Sequence, residues 1–265
     1  MAKIGFIGMG NMGSAILNGL LRVYKPEDLL FTAAHKEKME AVTAKTGVAH
    51  AASNAECVKQ SEYVILAVKP QYFETVFEEI RPVLKEDQIV ISLAPGQTIA
   101  SLTERLGGKV RVVRTMPNTP AMVQEAMSAI TPNEHITEEE TKMVVSLFES
   151  FGKAEIVPES LMDAVVGVSG SSPAYVYMFI EAMADAAVND GMPRAQAYKF
   201  AAQSVLGAAK MVLETGKHPG ELKDMVCSPG GTTIEGLAAL EENGFRGAII
   251  KACDANFEKN KKLKG

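Results

Sequence analysis

The sequence predicts an α/β chain in two parts: a doubly wound parallel sheet domain over residues 1–157, followed by an all-helical domain over 158–265. Three observations carry this. In the first part, short apolar runs alternate with helix-length segments, the pattern of buried strands joined by helical crossovers. The first run ends in glycines spaced G-x-G-x-x-G in front of a helical stretch, which makes the domain Rossmann-type. After about Pro158 the strand signal stops, and runs rich in Ala, Gly, Met and Val replace it.

Lys3 to Ile7 is the first strand, and a helix follows from about Met12 to Arg22. Further strands are expected at Leu29–Ala33, Tyr63–Val68, Gln88–Leu93, Val110–Arg114 and Met127–Ile130, with helix-length segments such as Phe73–Leu84 between most of them. Ligands of such sheets bind beyond the carboxyl ends of the strands. At the first of these ends stand Gly8, Met9, Gly10, Asn11, Met12 and Gly13. Gly8 allows the tight turn, Gly10 lets a pyrophosphate approach the backbone, and Gly13 lets helix and strand pack closely. Glycine-rich turns are common; the position between strand and helix is what points to a dinucleotide.

An NAD site presents Asp or Glu at the end of the second strand. Here that end reads Ala34, His35 and Lys36, whereas Glu27 and Asp28 lie at the opposite end. A cation suits a 2'-phosphate, which favours NADPH and leaves NADH as the second cofactor. The alternative is that His35 and Lys36 form an ordinary polar loop. Later strand ends extend the rim: Ala67, Val68, Lys69 and Pro70 close one strand, Ser92 to Gly96 the next, and Arg114 to Pro120 a third. Each alone reads as strand punctuation.

In the second part, helices are expected from Pro173 to Val188, from Arg194 to Thr215 with Gly216 as its stop, from near Thr232, and from Phe245 to Glu258. Small and apolar residues cover much of their circumference, so they need partners. A homodimer with intermingled helices is expected; the competing arrangement is a monomeric bundle.

Composition bounds the function. Hydrophobic residues form 47% and charged residues 22% of 265, the profile of a soluble globular protein, and the net charge of −5 opposes a dedicated nucleic-acid binder. The one basic cluster, Lys259, Lys261, Lys262 and Lys264, reads as a frayed, solvated tail. Three scattered cysteines and four histidines give no disulfide framework and no metal-ligand spacing. No signal peptide or membrane span is read, so a cytoplasmic protein is expected.

Taken together, these segments resemble the pyrroline-5-carboxylate reductase family over essentially the full length. The resemblance rests on GFIGMGNMG at 5–13, AVKPQ at 67–71, MPNTP at 116–120, VSGSSPAYVY at 168–177, LGAAKMV at 206–212 and, most specifically, HPGELKDMVCSPGGTTIEGL at 218–237. It implies NAD(P)H-dependent reduction of 1-pyrroline-5-carboxylate to L-proline, the last step of proline synthesis. It also implies a dimer or larger assembly of dimers, with the active site where the nucleotide domain meets dimer helices. Carried over by position, cofactor contacts fall on Ile7 to Met12, His35, Lys36, Asn54, Ala67, Val68, Lys69, Pro70, Leu93, Ala94 and Pro95. Substrate contacts fall on Ser228, Gly231, Thr232 and Thr233. Two positions depart: Met225 and Met178 stand where some relatives have Asn and Thr.

The SPGGTT turn at 228–233 suits a carboxylate, since uncapped N–H groups at a helix N-terminus beside Ser and Thr hydroxyls bind anions. The competing account has Thr232 or Thr233 capping its own helix. Related hydroxyacid dehydrogenases place a Lys on the first long helix of the second domain. Here Val176 stands at that place and Ile180 one turn later, so no acid is available there. A pyrroline can enter as an iminium and needs none, which supports an imine over a ketone. Tyr175 and Tyr177 are nearby hydroxyls without an assigned role, and Cys227 reads as packing. The rivals are a keto-acid reductase of the same architecture and an NADPH-binding sensor without turnover.

Overall fold

The computed structural model describes residues 2–262. Met1 and residues 263–265, with Lys264 of the expected basic tail among them, lie outside these. The elements run β1 (Ala2–Ile7), α1 (Asn11–Leu20), β2 (Leu29–Thr32), α2 (Lys36–Thr46), β3 (Ala49–His50), α3 (Asn54–Lys59), β4 (Ser61–Leu66), α4 (Phe73–Ile80), β5 (Ile89–Ser92), α5 (Ile99–Leu106), β6 (Arg111–Met116), β7 (Ala126–Pro132), α6 (Glu138–Glu149) and β8 (Gly152–Ile156). Helices complete the chain: α7 (Met162–Val165), α8 (Ser172–Asn189), α9 (Arg194–Thr215), α10 (Pro219–Val226), α11 (Thr232–Glu242) and α12 (Phe245–Lys262).

The strands form one sheet in the order β3-β2-β1-β4-β5-β6-β7-β8. Side chains alternate across it. Ile4, Phe6, Ile65 and Ile91 pack with Ile16, Leu20 and Phe148 of α1 and α6 on one face. Ile7, Val64, Leu66 and Val90 pack with Phe73, Phe77 and Leu102 of α4 and α5 on the other. Both faces are covered, which is why the strands read as unbroken apolar runs rather than alternating ones.

The expected all-parallel sheet needs one correction. β6 and β7 pair antiparallel and β8 follows β7 in parallel, so the last two strands run opposite to the first six. The link from Met116 to Ala126 holds only a 3-10 turn (Thr119–Val123), too short for the crossover that parallel pairing requires. The helix expected over Phe73–Leu84 ends at Ile80 and tightens to a 3-10 turn at Arg81–Val83, because Pro82 cannot donate to the helical ladder.

Two compact units result, one of residues 2–171 with 256–262 and one of Ser172–Ala255. Pro158 to Ser171 is mostly helical yet belongs to the first unit, and it includes a π-wound turn at Val166–Gly170 in which the Ser171 N–H donates to the Val166 carbonyl (2.9 Å). The basic tail is corrected too. Lys259, Lys261 and Lys262 lie in the last turn of α12, where cations suit the carbonyl end. Asn260, buried, donates to Asp163 (2.8 Å) and ties that end down. In the second unit the contacting helices α8 and α9 bury only Ala184, Ala197 and Ala201, and α10 and α11 bury none of their described residues.

Candidate active site

The three fingerprint glycines occupy three different environments. Gly8 has φ of +97°, and a Cβ there would lie 2.6 Å from Val68 Cγ1 and 2.8 Å from the Ala67 carbonyl. A Cβ on Gly13 would lie 2.6 Å from the Gly8 carbonyl oxygen, so this glycine sets how closely α1 approaches the turn. Gly10, exposed, would meet nothing within 4 Å. It is the N-cap of α1, and no side chain caps that helix. Open space over uncapped N–H groups at a helix start is what a pyrophosphate needs. The residues therefore fit a dinucleotide. Ile7 and Met9 are buried in the core (1% and 2% exposed), so only their backbone can reach a ligand.

A cavity lies on either side of this turn. The larger, about 600 Å³, is lined by Gly10, Asn11 and Met12, by Ala67 to Pro70, by Leu93 to Pro95, and by Met116 to Thr119 with Gly170. It brings together four of the expected strand ends, the first and the three later ones. The second, about 420 Å³, lies between Gly8, the end of β2 at Thr32 to Ala34, the Ala52 to Asn54 loop, Val68, and Tyr72, Thr75, Val76 and Glu79 beside or on α4. Asn54 donates its side-chain amide to Glu79 (2.8 Å).

His35 and Lys36 do not line this cavity. His35 is the N-cap of α2 and Lys36 its first residue, both exposed, and Lys36 pairs with Glu40 at 3.7 Å in a solvated contact that holds it weakly. Among the described residues, no carboxylate stands at the end of β2, and Glu79 of α4 is the one acidic group lining the cavity.

The MPNTP segment is held from within. Asn118, buried, accepts from the Met127 N–H and donates to the Ser169 carbonyl, each at 3.0 Å, pinning the loop to the π-wound turn. Behind the Leu93 to Pro95 loop, Arg114 is 3% exposed and pairs with Glu159 (2.9 Å), whose same oxygen accepts from the Ile99 N–H (2.7 Å) at the start of α5.

In the second unit, the SPGGTT turn joins α10 to α11. Gly230 has φ of +69° and Gly231 is the N-cap of α11. Thr232 and Thr233 are the first two helical residues, and no side chain caps the helix, so the capping account of these threonines does not hold. The Gly231 N–H closes the turn onto the Ser228 carbonyl (3.0 Å), and a Cβ on Gly231 would lie 2.4 Å from Ser228 Oγ. Gly231 thus contributes space, while the N–H groups and hydroxyls of Thr232 and Thr233 stand open. His218, earlier in the same motif, caps α10 by accepting from the Gly220 N–H (3.0 Å). Val176 and Ile180 are on α8 as expected, and the Tyr175 hydroxyl points to the Ala252 carbonyl (3.5 Å). Met178 and Met225, the two departures, are both exposed. Among the described residues, no group of three His, Cys, Asp or Glu could hold a metal ion.

Comparison with known proteins decides the family. A family model described as pyrroline-5-carboxylate reductase dimerisation matches residues 159–263, and one described as NADP oxidoreductase, coenzyme F420-dependent, matches residues 3–96. The chain is 52% identical over 263 residues to the pyrroline-5-carboxylate reductase of Escherichia coli (strain K12), covering 98% of each chain. The chain belongs to the pyrroline-5-carboxylate reductase family. The reductase of Methanosarcina acetivorans is 46% identical over 98% of this chain and 97% of that one. A solved pyrroline carboxylate reductase of Plasmodium falciparum with NADP bound superimposes with a TM-score of 0.90 at 33% identity, covering 100% and 98% of the two chains. The pyrroline-5-carboxylate reductase of Coxiella burnetii gives 0.93 at 34%, covering 100% and 99%. A prephenate dehydrogenase from A. aeolicus, 17% identical with a TM-score of 0.55, shares the fold alone. This pyrroline-5-carboxylate reductase family member is an oxidoreductase with an NADP-binding type of nucleotide domain and a dimerisation domain.

Proposed function

We propose that the chain reduces 1-pyrroline-5-carboxylate to L-proline, preferring NADPH over NADH, as a cytoplasmic homodimer with intermingled helices that can build larger assemblies of dimers. The observation that carries this is the uncapped SPGGTT turn in a chain that also bears a dinucleotide turn flanked by two cavities. A bound NADPH supplies the hydride. Backbone N–H groups at Gly10 to Met12 hold its diphosphate, and Lys69 and the Leu93 to Pro95 loop line the cavity for its nicotinamide half.

The N–H groups and hydroxyls of Thr232 and Thr233 hold the substrate carboxylate without a formal cation, with Ser228 beside them. An iminium brings its own proton: hydride adds to its carbon, the C=N π pair returns to nitrogen, and a neutral amine results. The larger cavity needs no acid for this, and among the described residues Lys69 is the one titratable group that lines it. The absence of an acidic residue at the β2 end and the Lys36 ammonium just beyond it support NADPH. The few scattered cysteines suit a reducing compartment.

Homodimer formation is supported by helices that cannot bury themselves within one chain. Met178, Phe200 and Leu213 are 69%, 68% and 81% exposed, far beyond what isolated surface residues of a monomer need. Substituting Gly231→Ala and Thr233→Ala tests the site. An imine reductase shows a raised KM for pyrroline-5-carboxylate with the NADPH Kd unmoved; an NADPH sensor shows no change in any function it has.

A further inference from the structure

The loop from β5 to α5 is tied down by a carboxylate from far along the chain. This inference rests on assigning the larger cavity to the nicotinamide half of the cofactor, as proposed above. Leu93, Ala94 and Pro95 line that cavity, and the loop then turns at Gly96, buried, with φ of +77°. The sheet fixes its β5 end: the Leu93 N–H donates to the Leu66 carbonyl (3.3 Å), and the Thr115 hydroxyl donates to the Ser92 carbonyl (2.9 Å). The α5 end lies off the sheet. Two contacts there, Thr98 accepting from the Ser101 N–H (3.1 Å) and Gln97 accepting from Arg105 (2.8 Å), stay within the loop and its own helix.

Glu159 supplies the tie. It stands 60 residues beyond Ile99, in the turn after β8, and its Oε1 accepts both from the N–H of Ile99, the first residue of α5 (2.7 Å), and from Arg114 Nη1 (2.9 Å). Arg114 is 3% exposed and lies beside Ser92 in the register of β5 and β6. One oxygen therefore bridges the first residue after the loop and the strand beside the last residue before it. A guanidinium buried this deeply holds its carboxylate firmly, since losing the partner would leave an uncompensated charge. The N–H groups at a helix start favour a carboxylate as well. A loop set in place before the ligand arrives spares the cost of ordering it on binding.

We infer that Glu159 is a positioning residue for the nicotinamide half of the cofactor: by bridging Arg114 and Ile99 it presets the Leu93 to Pro95 loop. Its reach and its charge can be tested apart. Glu159→Asp keeps the charge beside Arg114 but is one methylene short of spanning both donors. Glu159→Gln keeps the length and an acceptor oxygen but gives up the charge. Titration calorimetry on the full-length protein reads Kd for NADPH and for 2'-phospho-ADP-ribose, the same molecule without its nicotinamide ring. In Glu159→Asp the NADPH Kd rises about fivefold, the scale of a short loop that must be ordered on binding, while that of 2'-phospho-ADP-ribose moves by less than about twofold. In Glu159→Gln both stay within about twofold of native. Damage to the whole domain weakens both ligands alike and cancels in their ratio. A carboxylate kept only to neutralise Arg114 gives the opposite order, with Gln worse than Asp, and that order overturns the inference. So does an unmoved NADPH Kd in Glu159→Asp, or an equal loss for both ligands. Failure of the native protein to bind NADPH overturns the cofactor assignment itself and the inference with it.

Discussion

Replacing the three fingerprint glycines by alanine, one at a time, separates the glycine that serves the ligand from those that serve the fold. At Gly8 the added methyl would lie 2.6 Å from Val68 Cγ1 and 2.8 Å from the Ala67 carbonyl, on a backbone with φ of +97°. A left-handed conformation costs a residue with a Cβ about 1–2 kcal/mol. Forcing a methyl into packed atoms costs about 1–3 kcal/mol more. The sum, roughly 2–5 kcal/mol, lowers Tm by roughly 5–15 °C in a chain of this size. Gly13→Ala carries the second cost alone, because its methyl would lie 2.6 Å from the Gly8 carbonyl oxygen.

Gly10→Ala behaves differently. Its φ of −76° suits alanine and no atom lies within 4 Å of the new methyl, so Tm changes by about 1 °C or less, the scale of a few tenths of a kcal/mol at an N-cap. The methyl stands where the pyrophosphate must approach, so the NADPH Kd rises about tenfold or more. Calorimetry at fixed protein concentration without cofactor gives the first quantity, and fluorescence titration gives the second. The reasoning fails if Gly10→Ala binds NADPH like the native protein, or loses as much Tm as Gly8→Ala.

Glu159→Ala leaves Arg114 buried without its carboxylate and removes the acceptor of the Ile99 N–H. With Glu159 one-third exposed, the loss is about 2 kcal/mol, read as a lower denaturant midpoint, and Glu159→Gln loses less. Burial pushes the Glu140 carboxyl up, but the Thr137 N–H and hydroxyl and the Arg111 guanidinium outweigh it and hold the pKa below the usual range. A depressed folded pKa gives stability that is present above the unfolded value and lost as pH falls through the folded one. Glu140→Gln therefore costs about 1 kcal/mol at pH 7 and close to nothing in strong acid, measured by urea denaturation at both. Burial pushes the Cys57 thiol up to about 12, so peptide mapping after maleimide treatment of the native protein at pH 8 should find Cys57 unmodified and find it labelled after unfolding. Phe200→Glu puts a charge on an apolar helix face and shifts the mass measured by light scattering toward the monomer.

Much of this molecule was legible in its residues because the local rules agree with the fold. α9 runs from Arg194 to Thr215 and stops at Gly216 as expected, and the spacing of Gly8, Gly10 and Gly13 carries three distinct geometries. The SPGGTT turn could be found in sequence because a threonine cap has no use for two preceding glycines. What was not legible depends on contacts distant in sequence. Glu79 lines the cavity beside Gly8 only because α4 packs beside the start of α3, and nothing local marks it among three neighbouring glutamates, Glu74, Glu78 and Glu79. β8, Gly152–Ile156, is short and half-polar, so its pairing with β7 rather than its own pattern makes it a strand. The π-wound turn that brings Gly170 to the larger cavity likewise follows from packing, with Phe257 lying against Gly167.

The most direct test follows NADPH oxidation optically with purified protein, offering 1-pyrroline-5-carboxylate in one cuvette and a panel of 2-keto and 3-keto acids in another, with NADH in parallel. Reduction of the imine alone, faster with NADPH than with NADH, is the expected result. Turnover of a keto acid with silence toward the imine would contradict it, and would mean that a proton donor acts where Val176 and Ile180 offer none.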